Sequence, residues 1–217
     1  MTRRILVVIG TPLPGTLNHT LADSYAHAAR DAGADVRVID LAVDPIPAHP
    51  RSRDELRAPR SDADRPLDPD VARYLDDVRW ADHLVFFHPQ WWGTAPAALK
   101  AFIDRVFLSG AAFRYRERSA VSDRLLAGRT ARLVMTMDSP RFWNRLVYRN
   151  AAETSLTRAT LRYCGVRTVG VTRFSPVRFS DEAARAAWID RTRALGRTDA
   201  TSTARRARRP AAEPVAA

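Results

Sequence analysis

Short runs rich in β-branched and aromatic residues alternate with helical patterns along almost the whole chain, and that alternation leaves few folds open. Residues 4–10, with Ile5-Leu6-Val7-Val8-Ile9, form a near-continuous apolar run, as expected of a strand buried on both faces. Further strands are predicted over residues 35–40, 83–88, 130–137 and 167–174. Helical patterns fall over residues 17–32, 69–80, 96–108 and 149–163, and a last helix starts after Ser180 and stops near Leu195-Gly196. In the third, Leu99, Phe102, Ile103, Val106 and Phe107 share one face, Thr94 can cap it and Pro96 suits its first turn. Ser180 reads as the N-cap of the last helix, with Asp181 and Glu182 in its first turn. Strands alternating with helices predict a doubly wound α/β domain, a parallel sheet covered on both faces.

The chain has 217 residues, enough for one sizeable core. Residues 1–197 are expected to form that domain and residues 198–217, rich in Ala, Arg, Thr and Pro, a disordered and dispensable tail. Residues 43–70 carry six prolines and no period, so they read as a long connection, mobile or lying over the sheet's ligand edge. The net charge of +11 raises the question of a nucleic-acid partner. Residues 191–217 hold seven Arg against Asp199 and Glu213, and Lys100 is the only lysine, so a compositional bias toward arginine accounts for the charge and no nucleic-acid partner is expected. The single cysteine, Cys164, suits a reducing compartment, and a cytoplasmic protein is expected. No run approaches the roughly 20 apolar residues of a membrane helix, so no membrane insertion is expected. His19, His27, His49, His83 and His88 lack metal-ligand spacing, and no metal site is expected.

In a doubly wound sheet, ligands bind where the loops at the carboxyl ends of the central strands meet. Each of those loops is unusual here. The first, Gly10 to His19, combines Thr11, the turn residue Gly15, and Thr16, Leu17 and Asn18 at a helix start, where free N–H groups favour a phosphate. It lacks both the Rossmann glycine pattern and the Gly-Lys-Ser/Thr of nucleotide-binding loops. The same residues also read as an ordinary cap. The second, Pro89-Gln90-Trp91-Trp92-Gly93-Thr94, sets two adjacent tryptophans between Pro and Gly. Such a pair implies a flat partner, a core role or another subunit over it.

The block Pro89-x-Trp91-Trp92-Gly93-Thr94-x-Pro96, running on to Leu99-Lys100-x-Phe102-Ile103-Asp104-Arg105-Val106-Phe107, resembles the flavin-contacting loop of the DT-diaphorase-like NAD(P)H:quinone oxidoreductases. Phe113-Arg114-Tyr115 is similar to the short Phe-x-Tyr strand of that family, and the resemblance spans about residues 3–195. It implies a flavodoxin-like five-stranded sheet of order 2-1-3-4-5 and a flavin-dependent oxidoreductase. A hydride would pass from NAD(P)H through FMN, with FAD as the alternative, to quinones or similar acceptors by a ping-pong route. Thr11, Gly15, Thr16, Leu17 and Asn18 are implied at the phosphate, Pro89 to Thr94 at the ring, and Thr136, Met137, Asp138 and Ser139 in the third loop. There the family carries a glycine pair, and this chain has Asp138-Ser139. Asp138 either stands near the ring, where it would oppose negative charge on reduced flavin, or points away and caps the next helix. After it, Arg141 to Arg149 offers aromatics and cations for a substrate wall, with Tyr148 as the candidate acid/base residue. A homodimer is implied as well. The rival readings are a single-electron-carrier flavodoxin and a non-catalytic redox-sensing subunit.

Overall fold

The structure, a computed structural model, describes residues 2–119 and 121–202. Its elements run β1 (Arg4–Ile9), α1 (Leu17–Asp31), β2 (Asp35–Asp40), α2 (Pro69–Trp80), β3 (His83–Pro89), α3 (Ala97–Val106), β4 (Phe113–Arg114), β5 (Asp123–Arg124), β6 (Thr130–Thr136), α4 (Arg141–Leu146), α5 (Ala151–Thr154), β7 (Arg167–Phe174) and α6 (Glu182–Thr201). The main sheet has the order β2-β1-β3-β6-β7, every neighbouring pair parallel. Counting only its own strands, that is the 2-1-3-4-5 order. β4 and β5 form a separate antiparallel pair, which places the Phe-x-Tyr segment in a small hairpin.

Alternation along β1 splits the core. Leu6 and Val8 face α2 and α3 together with Leu84, Phe86 and Leu133, while Ile5, Val7 and Ile9 face α1 and α6 with Val85, Phe87 and Val134. Both faces are covered, which explains why β1 and β3 read as near-continuous apolar runs and β6 as one broken only by Arg132.

Several expected boundaries are corrected. The largest correction concerns α6, which does not stop at Gly196 but runs to Thr201. Gly196 sits inside the helix because a Cβ there would come within 2.4 Å of the Tyr25 carbonyl oxygen. It is a close-packing residue against α1, not a terminator. The expected domain edge at 197 therefore cuts through a helix, and Asp199, assigned to the tail, is buried at 3% exposure. Residues 203–217 lie outside the described residues. The α6 N-cap is Asp181, whose carboxylate accepts from Ala184 N, one residue later than expected. Thr94 does not cap α3, whose N-cap is Pro96 without a side-chain bond. The fourth helical stretch begins at Ala151 and passes into a π-helix over Ser155–Leu161. Helix α4 had no strong period in so short a segment. Residues 43–68 pack across α2 and α3: Tyr74 donates to the Pro45 carbonyl, Arg105 to the Ala48 carbonyl, and Ala58 N to Ser109 O just past α3.

Candidate active site at the carboxyl edge of the sheet

Three loops meet at the carboxyl ends of β1, β3 and β6, and side chains tie them together. Asn18, in the first turn of α1, donates from Nδ2 to Thr136 Oγ1 at the end of β6 (2.9 Å). Gln90, just past β3, donates from its backbone N to Thr136 O (2.7 Å) and from Nε2 to Asn144 Oδ1 (2.6 Å). Ser139 Oγ donates to Gln90 Oε1 (2.7 Å), and Asn144 Nδ2 donates to Asn150 Oδ1 (3.1 Å). This chain of amides fixes the floor of the edge. Sequence reasoning missed Asn144 and Asn150, which carry no motif and gain meaning only from the topology.

In the first loop, Gly15 takes φ +68°, a left-handed turn that favours glycine. Thr11 is buried, and its Oγ1 accepts from Leu13 N (3.3 Å). Thr16 is the N-cap of α1. Its N–H donates to His19 Nδ1 (3.2 Å), its hydroxyl lies 2.9 Å from the same nitrogen, and His19 Nε2 lies 3.2 Å from Asp40 Oδ1. With Nδ1 assigned as the acceptor, Nε2 carries the proton toward Asp40. His19 occupies the position where a capping box carries Glu or Gln, and that spacing is the signal that could have found it. Thr16 O–H can rotate from His19 to an anion while its N–H keeps Nδ1 paired. Leu17 and Asn18 open the helix, where first-turn N–H groups have no intrahelical acceptor. Asn18 is 3% exposed, and its Oδ1 has no partner among the described residues.

The second loop is a tight reversal. Trp91 N donates to Thr94 O and Thr94 N to Trp91 O, both at 2.9 Å. Trp92 (φ +50°) and Gly93 (φ +75°) occupy its two central positions. Positive φ at both is the signature of a type I′ turn. Gly is at home there, whereas a bulky residue is strained by about 1–2 kcal/mol. Trp92 is 101% exposed, so no contact within the described chain compensates that strain. Gly93 is buried under Tyr148, whose ring would lie 3.5 Å from a Cβ added at Gly93. Phe142, Trp143, Leu146 and Val147, on and just after α4, are exposed as well. Together with Trp92 they form an open aromatic shelf. Large hydrophobics exposed in number near one edge mark a surface for a ligand or a partner.

In the third loop, Met137 is buried and its N donates to Phe174 O (3.0 Å). Asp138 does not cap α4, whose N-cap is Pro140. Its Oδ1 instead accepts from Arg178 N (2.7 Å) in the β7–α6 connection. The carboxylate is thus committed away from the amide chain, while Ser139 faces Gln90.

Beneath the tryptophan loop lies His88, fully buried. Its Nδ1 donates to Pro89 O (3.0 Å), which leaves Nε2 as an unpaired acceptor. Burial pushes its pKa down to about 4, against the pull of that carbonyl. An unfolded chain protonates this imidazole near pH 6.5, and the folded one does not until about pH 4. Folding is therefore expected to lose about 3 kcal/mol through this residue as pH falls from 7 to 4. Denaturant melts across that range check this, with flat stability from pH 7 to 5 as the contrary result.

Among the described residues no helix is long and apolar enough to cross a membrane, and no group of three or more His, Cys, Asp or Glu could hold a metal ion. Cys164 is buried, and burial pushes its thiol up to about 12, so it is an unreactive packing residue.

A doubly wound sheet of this order, with an anion-ready helix start and an aromatic shelf at its carboxyl edge, defines a flavodoxin-like protein. The flavodoxin-like fold family (Flavodoxin_2) matches residues 3–195, and the chain belongs to it. A ribosyldihydronicotinamide dehydrogenase-like protein of Penicillium crustosum is 30% identical over 152 residues, 62% of this chain and 57% of that protein. An FMN-dependent NADH:quinone oxidoreductase of Alcanivorax borkumensis is 34% identical over 94 residues, 42% of this chain and 48% of that one. The chain thus spans about half the length of these curated relatives. The crystal structure of Smu.1420 from Streptococcus mutans superposes with a TM-score of 0.70 at 25% identity, covering 90% of this chain and 99% of that one.

Proposed function

We propose that this protein is a cytoplasmic, FMN-dependent NAD(P)H oxidoreductase that reduces quinones or similar flat acceptors, FAD being the alternative flavin. The observation that carries this reading is the junction of Asn18, Thr136, Gln90 and Ser139, which welds an anion-ready helix start to the loop bearing Trp91 and Trp92. Bound flavin supplies a two-electron relay, so that nicotinamide and acceptor take turns over one face in a ping-pong sequence.

The residues present fit that group. Asn18 is buried with one amide atom unpaired. Turning its amide over would let Oδ1 accept from Thr136 and leave Nδ2 free to donate to an anion. Thr11, Gly15, Thr16 and Leu17 shape the phosphate cradle. Pro89, Gln90, Trp91, Trp92, Gly93 and Thr94 would hold the ring, together with Thr136, Met137 and Ser139. Asp138 acts at one remove, by anchoring the β7–α6 connection to the third loop. Tyr148, its hydroxyl free of hydrogen bonds among the described residues, is the candidate proton donor to a reduced acceptor. Trp92 and the α4 aromatics exclude water and favour flat substrates, which stack.

The shelf also supports a homodimer in which a second copy covers part of it, with twice the chain mass expected in light scattering at micromolar concentration and a single-chain mass opposing it. The cradle itself is tested by changing Thr16 and Asn18 together to Ala. Each hydrogen bond to a charged group contributes roughly 1.5–3 kcal/mol, so FMN affinity by fluorescence titration should fall by about tenfold or more. Unchanged affinity would confine Thr16 to capping α1 and Asn18 to its bond with Thr136.

A further inference from the structure

At the opposite end of the sheet, by the amino end of β7, lies a cavity of about 440 Å³ that the flavin reading does not use. Arg124, Arg158, Arg162 and Arg167 line it together with Thr157 and Thr168, and Gly165, Val166 and Val171 complete its wall. No Asp or Glu lines it, and among the described residues none of these four guanidinium groups makes a hydrogen bond or an ion pair. Arg4, Arg37, Arg57, Arg73, Arg116 and Arg132 each pair with Asp, whereas these four lie together on one wall without a carboxylate. Like charges gathered without counter-charges repel one another, and a concave wall concentrates their field on whatever enters.

Two breaks in regular structure build this cavity. The first is the π-helix Ser155–Leu161, a rare form that tends to appear at functional sites. It carries Thr157 and Arg158, and Arg162 caps its end. The second is a bulge in β7. Ala131 pairs with Thr168, but Arg132 pairs with Gly170, which leaves Val169 as the extra residue. In an unbroken strand Thr168 and Val171 would face opposite sides of the sheet. The bulge turns both to the same side, and both line the cavity. Thr168 Oγ1 is buried there with no hydrogen-bond partner among the described residues. Gly165 closes the wall. A Cβ on it would lie 2.8 Å from Arg124 Cβ and 3.0 Å from Ala127, so only glycine lets the β4–β5 hairpin bring Arg124 up to the end of the π-helix.

We infer that this cavity is a binding site for a phosphorylated small molecule, its phosphate held by Arg124, Arg158, Arg162 and Arg167 with the Thr168 hydroxyl, and its organic part against Val166 and Val171. Guanidinium forks match phosphate oxygens. The volume is that of a small-ligand site. The apolar wall favours an organic phosphate over the bare inorganic anion.

The test is calorimetric titration of the purified protein, with FMN in excess so that the flavin cradle is filled, at fixed ionic strength. Inorganic pyrophosphate and ADP are the two probes, and heparin is the polyanion control. Saturable binding of both small probes is expected, ADP tighter than pyrophosphate. Arg158→Ser with Arg162→Ser, both exposed and unpaired, should weaken both by about tenfold or more while leaving FMN affinity and the melting temperature unchanged. Thr168→Val should weaken them by a smaller factor. Absence of saturable heat, equal binding by the double variant, or binding of heparin alone would overturn the site. Equal affinity for ADP and pyrophosphate would overturn its assignment to an organic phosphate.

Discussion

Asp199→Ala is expected to destabilise the fold by about 3–5 kcal/mol, as removal of one member of a buried ion pair does. The carboxylate is 3% exposed and receives Arg132 Nε at 2.6 Å on Oδ2, Arg132 Nη2 at 2.8 Å on Oδ1 and the Tyr25 hydroxyl at 2.8 Å. His83 Nε2 lies 3.1 Å from the same Oδ2, and His83 Nδ1 is 2.7 Å from Thr130 Oγ1. Burial opposes the charge, but the hydrogen bonds from Arg132 and His83 outweigh it and hold this carboxyl well below the usual carboxylate range. Burial likewise lowers the pKa of His83, against the pull of Asp199, so the imidazole is neutral at pH 7. Without Asp199 the Arg132 guanidinium stays buried and loses its only counter-charge among the described residues. Deletion after Gly196 removes the same group and the last turn of α6, so it should cost at least as much, and residues 198–201, assigned to the tail by composition, are expected to be needed for the fold. The control is Asp190→Ala on the exposed face of α6, where the Arg193 pair is solvated and contributes well under about 1 kcal/mol. Urea melts decide it. An Asp199→Ala variant within about 0.5 kcal/mol of wild type would show that α6 docks by apolar packing alone.

Trp92→Gly should move stability and turnover in opposite directions. The residue sits at φ +50° with its whole side chain in solvent, so glycine would relieve about 1 kcal/mol of backbone strain. The same change removes the outermost ring of the shelf. Aromatic stacking contributes about 0.5–1.5 kcal/mol beyond area burial, so quinone reduction should fall by up to about tenfold in kcat/KM. Trp92→Ala separates the two effects, because alanine keeps the strain and loses the ring. It should show the same loss of turnover with no gain in melting temperature. A less stable glycine variant would contradict the strained turn. Full activity in both variants would remove Trp92 from the substrate surface.

The strands of this fold are legible because β1, β3 and β6 are covered on both sides, so burial writes itself as apolar runs such as Ile5 to Ile9. The three loops of the site are legible because glycine, proline and paired tryptophans are rare together. What stays hidden depends on contacts far apart in sequence. Gly196 looks like a helix stop until Tyr25 of α1 is seen against it. Arg132 in an apolar strand signals a missing partner, but nothing local points to Asp199, 67 residues away. The amides of Asn144 and Asn150 became part of the site only when α4 placed them beside Gln90. Asp138 was ambiguous in sequence because its acceptor role is decided by the backbone of Arg178 in another loop.

The central claim is tested most directly by loading the purified protein with FMN under anaerobic conditions, adding NADH or NADPH, and then adding a quinone. The account predicts tight uptake of flavin, loss of its visible absorbance on addition of at least one nucleotide, and full return of colour with one quinone reduced per flavin reoxidised. A protein that takes up neither FMN nor FAD, or one that binds flavin and is bleached by neither nucleotide, would contradict it.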